Sequence, residues 1–395
     1  MVEHNVQGGT PSAFGGTFDL QDFYRPFRLD EITPENMQSW PYYRHVSAHW
    51  PEYVQTGTQT IPASSHPRPL SSDARFDLND EFRIGKTYLQ SLIDTQAKGF
   101  VVMRDDEILA EFYANGFNLG DRNLLQSASK TMAGVVTHQL IDAGLLDPDA
   151  AVESVLDDFA GTTIGVATVQ QVLDMTSGAR QLLDFHTEGS SDYQWEVEIG
   201  LKGGTPQGHV AAIRSAGRAA EAGVAWNYSD KNTDTLALLA ERVTSRSYVE
   251  LLTELFDAFG ATEAGSIAVT ADGTASPSYG ISLTTRDYAL FHQWLARRHA
   301  PTSFYESAMD PSKDMIRRTN ALAAEAFPGT TYGSQTYYIT DQNVMHSSGS
   351  YGQIGMSDME SGTAVVVHSD WANNAEPKKF EEARARAVAV IQTLR

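Results

Sequence analysis

A serine and a lysine three residues apart, Ser127 and Lys130, have the side chains and the spacing for acyl-transfer chemistry. Apolar residues at one-turn intervals follow them, so the sequence predicts a helix that begins at Lys130 and stops at Gly144. Residues three apart share a helix face, which would bring the lysine amine within hydrogen-bond reach of the serine hydroxyl. The N-terminus of the helix would also direct backbone N–H groups at whatever Ser127 attacks. The pair therefore predicts a nucleophile, a base and part of an oxyanion site.

The alternative interpretation of this pair is a capping serine followed by a solvated lysine. A lysine in the first turn of a helix is disfavoured by the helix dipole, so this alternative leaves the choice of Lys130 unexplained. Ser127 and Lys130 also form the only Ser-x-x-Lys pattern in a chain that is poor in lysine. The motif alone remains weak, and the rest of the sequence has to decide between the two interpretations.

The composition is that of a globular chain, with 41% hydrophobic and 20% charged residues among 395. A formal net charge of −21 argues against nucleic acid and against anionic membrane surfaces as partners. Because the chain has no cysteine, it has no disulfide, no cysteine nucleophile and no thiolate metal site. The first thirty residues do not resemble a signal peptide, and no run approaches the roughly 18 apolar residues of a membrane span. We therefore expect a cytoplasmic protein.

Other catalytic motifs are missing from the sequence. It contains no His-Glu-x-x-His, no Gly-x-Ser-x-Gly elbow and no Gly-x-Gly-x-x-Gly. His138, on the predicted nucleophile helix, is expected to pack rather than to bind a metal. The sequence thus predicts no metal and no cofactor.

Strands are predicted near both ends of the chain, with helices between them. Apolar runs at 100–104 and 108–113 flank a polar turn and indicate a β-hairpin, and a helix is expected from Asp77 to Ala97. Residues 1–75 are rich in proline and aromatics, and we expect them to form an irregular arm that packs on the surface of the rest of the protein. The C-terminal part predicts a helix over 285–295, strands at 335–340 and 343–347, a hairpin of 353–359 with 363–368, and a last helix over 377–394.

The middle of the chain is predicted to be mostly helical. Residues 184–195 are interpreted as a loop, so that Tyr193 and Trp195 would be exposed aromatics suited to substrate binding. Tyr228 is placed in a loop leading into a helix for which Asn232 is the expected N-cap. We therefore predict an α+β fold, with one sheet domain built from 76–145 and 276–395 and a mostly helical domain over 146–275 inserted between them.

With these elements in order, the chain resembles the serine β-lactamase and penicillin-recognising superfamily, in its class C-like branch. That branch includes family VIII carboxylesterases, D-stereospecific aminopeptidases and 6-aminohexanoate-dimer hydrolases, and the resemblance is strongest to the last group. The resemblance runs from about residue 80 to the end and rests on the joint order of five landmarks. They are Ser127-Ala-Ser-Lys130, Val169-Gln-Gln-Val-Leu-Asp-Met-Thr-Ser-Gly178, Tyr228-Ser-Asp-Lys-Asn232, Gly280-Ile-Ser-Leu-Thr-Thr-Arg-Asp287 and His346-Ser-Ser-Gly-Ser-Tyr-Gly352.

The resemblance implies a β-lactamase-like antiparallel sheet flanked by helices, and a catalytic set. Ser127 would be the acylated nucleophile, Lys130 the base and Tyr228 the group that relays a proton to the leaving group. The backbone N–H groups of Ser127 and Ser350 would hold the oxyanion. Residues assigned to substrate binding are Gly349, Tyr351, Asp230, Tyr193 and Trp195. The implied partner is a small-molecule ester or amide; the oligomeric state is left open, with a homodimer as one alternative.

Two positions depart from the superfamily pattern. Ser347-Ser348-Gly349 stands where the family usually has Lys-Thr-Gly, so the cation that pairs with a substrate carboxylate is missing. Asp230 stands where the family often has asparagine. These departures favour neutral esters or linear amides over β-lactams and peptide C-termini. Two alternatives stay open: a β-lactamase or D-amino-acid peptidase, and a non-catalytic sensor on the same fold.

Overall fold

The computed structural model describes residues 57–114, 116–182, 187, 189–201, 204–369, 371 and 376–395. Its strands are β1 (Thr58–Ile61), β2 (Ser71–Ser72), β3 (Glu81–Arg83), β4 (Lys86–Thr87), β5 (Ala97–Arg104), β6 (Glu107–Tyr113), β7 (Arg122–Leu124), β8 (Gly265–Ala268), β9 (Ile281–Thr284), β10 (Thr330–Gly333), β11 (Thr336–Ile339), β12 (Val344–Gly349), β13 (Gln353–Asp358) and β14 (Ala364–Ser369).

The α-helices are α1 (Tyr88–Asp94), α2 (Lys130–Asp142), α3 (Val169–Leu173), α4 (Ser191–Glu198), α5 (His209–Arg214), α6 (Asp230–Thr244), α7 (Tyr248–Phe259), α8 (Thr285–Ala296), α9 (Thr302–Ala308), α10 (Met315–Thr319), α11 (Ala321–Ala326) and α12 (Pro377–Leu394). Short 3₁₀ turns connect several of them. None of the helices in the described ranges combines the length and the apolar character that crossing a bilayer requires.

Within the described part of the chain, the main sheet has eight strands in the order β10-β11-β12-β13-β14-β5-β6-β2. Its strands pair antiparallel except β2, which runs parallel to β6. The pairing of β14 with β5, in which Val366 faces Val101, joins the two ends of the chain in one sheet. Alternate side chains of a strand point to opposite faces, so Val101 packs on the face covered by α2 and α8, whereas Val102 packs on the face covered by α1 and α12. Helices therefore cover both faces, and the predicted α+β fold is confirmed.

A smaller sheet, in the order β1-β8-β9-β7, leads directly to the predicted nucleophile. Strand β7 ends at Leu124, and the backbone N–H of Leu125 donates to the carbonyl of Ile281, just as the chain turns into Ser127. The side chain of Ser129, which is fully buried, accepts a hydrogen bond from the N–H of Ile281 at 3.2 Å. The turn that carries Ser127 is thus fixed to the edge of this sheet on both sides of the serine.

The turn between β10 and β11 is buried against the nucleophile helix. Ser334 and Gln335 have φ of 51° and 64°, the left-handed pair that the type I′ turn of a two-residue hairpin requires. A Cβ placed on Gly134 of α2 would lie 2.1 Å from the Ser334 carbonyl oxygen. Only glycine at this position allows the hairpin to reach the helix, and this contact fixes the direction in which α2 leaves the site.

Several predicted elements differ from the structure. The helix expected over 77–97 is wrong in its first half, where β3 and β4 form a hairpin around Gly85 (φ 76°) and Ile84 is fully exposed. The described part of the predicted arm contains β1 and β2; residues 1–56 lie outside the described residues. Strand β8 falls within the segment predicted to be mostly helical. The division into domains therefore stays a prediction.

Candidate active site

Ser127 lies in a single 3₁₀ turn, Gln126–Ser129, that continues into α2 at Lys130. The serine is partly exposed, whereas Lys130 is 1% exposed. Gln126 has φ of 53°, so the chain takes a left-handed step immediately before the serine. The predicted start of the helix is confirmed, and Ser127 lies at its N-terminal end, where backbone N–H groups and the helix dipole favour a developing negative charge.

Among the residues that the structure describes, the amine of Lys130 has three oxygen neighbours. Its Nζ lies 3.0 Å from Ser127 Oγ and 2.5 Å from the carbonyl oxygen of Ser278. The third neighbour is Oδ1 of Asp230, at 2.7 Å. Since Lys130 is buried, these contacts replace the water that an exposed ammonium would have.

The nature of these neighbours defines what a neutral Lys130 can do. A carbonyl and a carboxylate only accept hydrogen bonds, whereas a hydroxyl can also donate. A neutral amine has two N–H groups and one lone pair. If the two N–H groups bond Ser278 and Asp230, the lone pair faces the hydroxyl of Ser127. This arrangement suits a general base that removes the serine proton.

Tyr228 lies two residues before α6, whose N-cap is Ser229. The centre of its ring is 4.9 Å from Lys130 Nζ, and its hydroxyl is hydrogen-bonded with Ser127. Burial raises the pKa of Tyr228 well above its usual value, the charge of Asp230 raises it further, and the hydrogen bond with Ser127 opposes both. The phenol therefore keeps its proton at neutral pH and can donate it to an atom bound near Ser127.

Asp230 is the first residue of α6, and its side chain is 20% exposed. The structure places its carboxylate against Lys130, where it can stabilise the ammonium that forms when the lysine takes up a proton. The assignment of Asp230 to substrate binding stays a prediction. Asn232, expected as the N-cap, is inside the helix, and its Oδ1 accepts a hydrogen bond from Ser177 at 2.6 Å.

The end of β12 packs against the nucleophile turn. A Cβ on Gly349 would lie 2.1 Å from the carbonyl oxygen of Leu125 and 3.1 Å from the backbone nitrogen of Ala128. The next residues, Ser350 and Tyr351, are partly exposed, and Tyr351 has φ of 64°. Gly349 is therefore the residue that permits Ser350 to lie beside the turn that carries Ser127.

A buried glutamine supports this segment. Nε2 of Gln353 donates to the carbonyl oxygens of Ser350 and Tyr351, at 3.3 and 3.2 Å, and Oε1 accepts from Asn123 at 2.7 Å. No pattern in the sequence indicated this role, because a single glutamine in a strand has no distinguishing neighbours. The same is true of Ser278, whose contribution to the site is a backbone carbonyl.

Ser347, at the position of the family lysine, points into the core. It is 2% exposed, and its hydroxyl is hydrogen-bonded with Tyr288 Oη at 2.6 Å and with His292 Nε2 at 2.8 Å. Burial lowers the pKa of His292 to about 3, so the ring is neutral. Ser347 therefore provides neither a charge nor a free hydroxyl for a substrate.

The predicted substrate-binding loop is helical over residues 191–195, whereas the described residues before them, 187, 189 and 190, are not. Tyr193 and Trp195 lie on α4, whose N-cap Ser190 accepts a hydrogen bond from the backbone N–H of Tyr193. Trp195 is 1% exposed and belongs to the core, with its ring 5.2 Å from that of His209. Its assignment as an exposed substrate-binding residue is wrong. Tyr193 is partly exposed, and its role stays a prediction.

Within the described ranges, no three histidine, aspartate or glutamate side chains are arranged as a metal site. His138 is buried on α2 between Ser303 and Ser334. Its Nδ1 lies 2.8 Å from the hydroxyl of Ser303, and its Nε2 lies 2.8 Å from the hydroxyl of Ser334. Its packing role follows from these two contacts.

Comparison with known proteins relates this site to a family. The β-lactamase family model matches residues 98–391. A 6-aminohexanoate-dimer hydrolase of Paenarthrobacter ureafaciens is 30% identical over 298 residues, which are 71% of this chain and 74% of that protein.

Two solved structures resemble the chain in fold. One from Bacillus anthracis, provisionally named as a 6-aminohexanoate-dimer hydrolase, has a TM-score of 0.79 at 19% identity and covers 96% of this chain and 99% of its own. A D-stereospecific amidohydrolase from a Streptomyces species has a TM-score of 0.56 at 18% identity, covering 75% of this chain and 96% of its own. At these sequence identities, the structural similarity shows a shared fold and nothing more.

Proposed function

The chain belongs to the β-lactamase family and is a serine hydrolase of esters or amides, and we propose that Ser127, Lys130 and Tyr228 carry out the reaction through an acyl-enzyme. One observation carries the proposal. Among the three oxygen neighbours of the buried Lys130 amine, only Ser127 Oγ, at 3.0 Å, can donate a proton to it.

In the acylation step, Ser127 Oγ attacks the carbonyl carbon of the substrate while its proton passes to the neutral amine of Lys130. The carbonyl of Ser278 and the carboxylate of Asp230 then hold the new ammonium. We propose that the backbone N–H groups of Ser127 and Ser350 bind the oxyanion of the tetrahedral intermediate. Removing one such donor typically costs roughly 10²–10³ in rate.

Collapse of the intermediate breaks the bond to the leaving amine or alcohol, which needs a proton. Tyr228 keeps its proton at neutral pH and is hydrogen-bonded with Ser127, so it is the proposed donor. The ammonium of Lys130, 4.9 Å from the tyrosine ring, would restore the proton to the phenol. Water then attacks the acyl-enzyme with the same groups in reverse roles, releasing the acid and regenerating Ser127.

The proposed substrates are small neutral esters and linear amides of the 6-aminohexanoate type. The buried hydroxyl of Ser347 replaces the lysine that would pair with a carboxylate next to the scissile bond. Asp230 adds a negative charge beside Lys130, so a substrate carboxylate would be repelled from this side of the site. The 30% identical relative is named for hydrolysis of a linear dimer, which agrees with this choice.

The test compares the wild type with Ser127→Ala on nitrophenyl butyrate and on 6-aminohexanoate dimer, with mass spectrometry of the protein during turnover. We expect a covalent adduct on Ser127 and loss of both activities in the variant. Unchanged hydrolysis by Ser127→Ala would refute the proposal. Nitrocefin cleavage as fast as ester cleavage would instead favour a β-lactamase, and a stable stoichiometric adduct without turnover would favour a sensor.

A further inference from the structure

A buried carboxylate lies behind the catalytic lysine, and the proposed reaction does not use it. Asp234 is on α6, one turn after Asp230, and its side chain is fully buried. Its Oδ1 accepts a hydrogen bond from the backbone N–H of Ser278 at 2.9 Å. Its Oδ2 accepts one from the hydroxyl of Ser276 at 2.8 Å. Burying a carboxylate away from water costs free energy, which these hydrogen bonds offset only in part.

The other side of the carboxylate is occupied by His209, from α5. His209 Nε2 lies 2.8 Å from Asp234 Oδ2, and both side chains are fully buried. Nδ1 of the histidine lies 2.7 Å from the hydroxyl of Thr274, and Trp195 packs over the ring. The carboxylate therefore cannot rotate without losing several hydrogen bonds, and no substrate can reach it.

Ser278 connects this network to the reaction. Its N–H is held by Asp234, and its carbonyl oxygen accepts the hydrogen bond from Lys130 Nζ at 2.5 Å. The N–H and the carbonyl lie in the two peptide planes that meet at the Cα of Ser278, so a shift of this Cα that frees the N–H also displaces the carbonyl relative to the amine. The carbonyl is one of the two acceptors that leave the lone pair of a neutral Lys130 facing Ser127.

We propose that Asp234, supported by His209, is a positioning residue: it fixes the Ser278 carbonyl and thereby the direction in which Lys130 receives the proton of Ser127. This inference rests on the proposed function of Lys130 as the base. The network acts on acylation and not on substrate binding, because Asp234 is sealed from the cleft. A misplacement of about 1 Å at a reacting group can cost 10²-fold in rate.

The experiment measures single-turnover acylation by nitrophenyl butyrate in Asp234→Ala, Asp234→Asn and wild type, with the active-site concentration counted by mass spectrometry. Asp234→Asn keeps an oxygen that can accept from Ser278. We expect acylation about 10- to 100-fold slower in the alanine variant at an unchanged half-saturating ester concentration, and substantial recovery in the asparagine variant.

The matched control is Asp287→Ala. Asp287 is also fully buried and accepts from backbone N–H groups, those of Thr262 at 2.7 Å and Glu263 at 3.2 Å, but these residues do not contact Lys130. We expect a loss of thermal stability like that of Asp234→Ala, with the acylation rate per active site within about threefold of wild type. Equal slowing in both variants would reduce Asp234 to a stabilising role and overturn the inference.

The remaining outcomes separate failure of this inference from failure of the proposed function. If Asp234→Ala cannot be recovered folded, His209→Gln takes its place, and wild-type acylation in that variant would overturn the inference. If Ser127→Ala is inactive while Asp234→Ala acylates like wild type, the inference fails and the proposed function stands. If Ser127→Ala still hydrolyses the ester, the proposed function itself fails.

Discussion

Replacing Gly349 with alanine tests how closely β12 must approach the nucleophile turn. The added Cβ would lie 2.1 Å from the Leu125 carbonyl oxygen, whereas ordinary contact begins at 3.4 Å. The strand end and the turn would therefore have to separate by about 1.3 Å. The nearest obstacles are the Leu125 oxygen at 2.1 Å, the Cβ of Gln126 at 3.0 Å and the Ala128 nitrogen at 3.1 Å. Two of these are backbone atoms and the third is bonded directly to the backbone, so no side chain can simply rotate away.

This displacement falls between Ser127 and Ser350, the two residues proposed to bind the oxyanion. A misplacement of about 1 Å can cost 10²-fold in rate, so we expect kcat/KM of Gly349→Ala to fall by about two orders of magnitude. Overpacking should also lower the free energy of unfolding by about 1–3 kcal/mol. The two effects are separated by measuring the rate per active site, counted by covalent labelling of Ser127.

Gly120→Ala is the matched control, because a Cβ there meets nothing within 4 Å and its φ lies outside the left-handed region. We expect kcat/KM of this variant to equal that of wild type. If Gly349→Ala hydrolyses nitrophenyl butyrate as fast as Gly120→Ala, then the close contact is not needed for catalysis, and the oxyanion assignment of Ser350 loses its main support.

Two further predictions concern charge. Asp230→Asn keeps an acceptor for Lys130 but removes the negative charge. Because a charge-assisted hydrogen bond is stronger than a neutral one by about 1–2 kcal/mol, we expect kcat/KM to fall about 5- to 30-fold. A change below twofold, measured on the nitrophenyl ester, would contradict the role given to Asp230. Burial, with a smaller contribution from Lys313, lowers the pKa of His138 to about 4. Between pH 6.5 and 4, His138 is therefore protonated in the unfolded chain but neutral in the folded protein. The free energy of unfolding falls as the pH drops from 6.5 toward 4. Between pH 7 and 5 this histidine should account for about 2 kcal/mol of the loss in the free energy of unfolding. In urea unfolding at both pH values, the free energy of unfolding of His138→Gln should therefore change less with pH than that of wild type.

The sequence was most informative where one short segment contains the whole signal. The hairpin around Asp105 and Asp106, the helix Tyr248–Phe259 and the final helix from Pro377 all appear as predicted, because their periodicity and turn residues are local. The contact between Ser127 and Lys130 follows in the same way from one helical turn. Local geometry therefore accounts for the pair that starts the proposed reaction.

The remainder depends on contacts between distant segments. Trp195 lies on a helix and in the core because α5 and α6 pack against it, which no local pattern reveals. Asp234, His209 and Ser278 meet across 25 and 44 residues of sequence. In the sequence Asp234 is one more acid in a chain with 50 acidic residues, so its burial could not be anticipated.

The pairing of β5 with β14 governs when this protein can become active. Val101 and Val366 lie opposite each other in the sheet, although 265 residues separate them in the chain. At 5–20 residues per second, a ribosome takes roughly 10–50 s to synthesise that interval, during which the apolar edge of β5 has no neighbour on that side. Gly349 and Ser350 are also synthesised more than 200 residues after Ser127 and Lys130, so a nascent chain carries this pair long before the proposed oxyanion site can form. Hydrolysis must therefore await synthesis of β12 to β14, and until then the unpaired edge of β5 is exposed to aggregation.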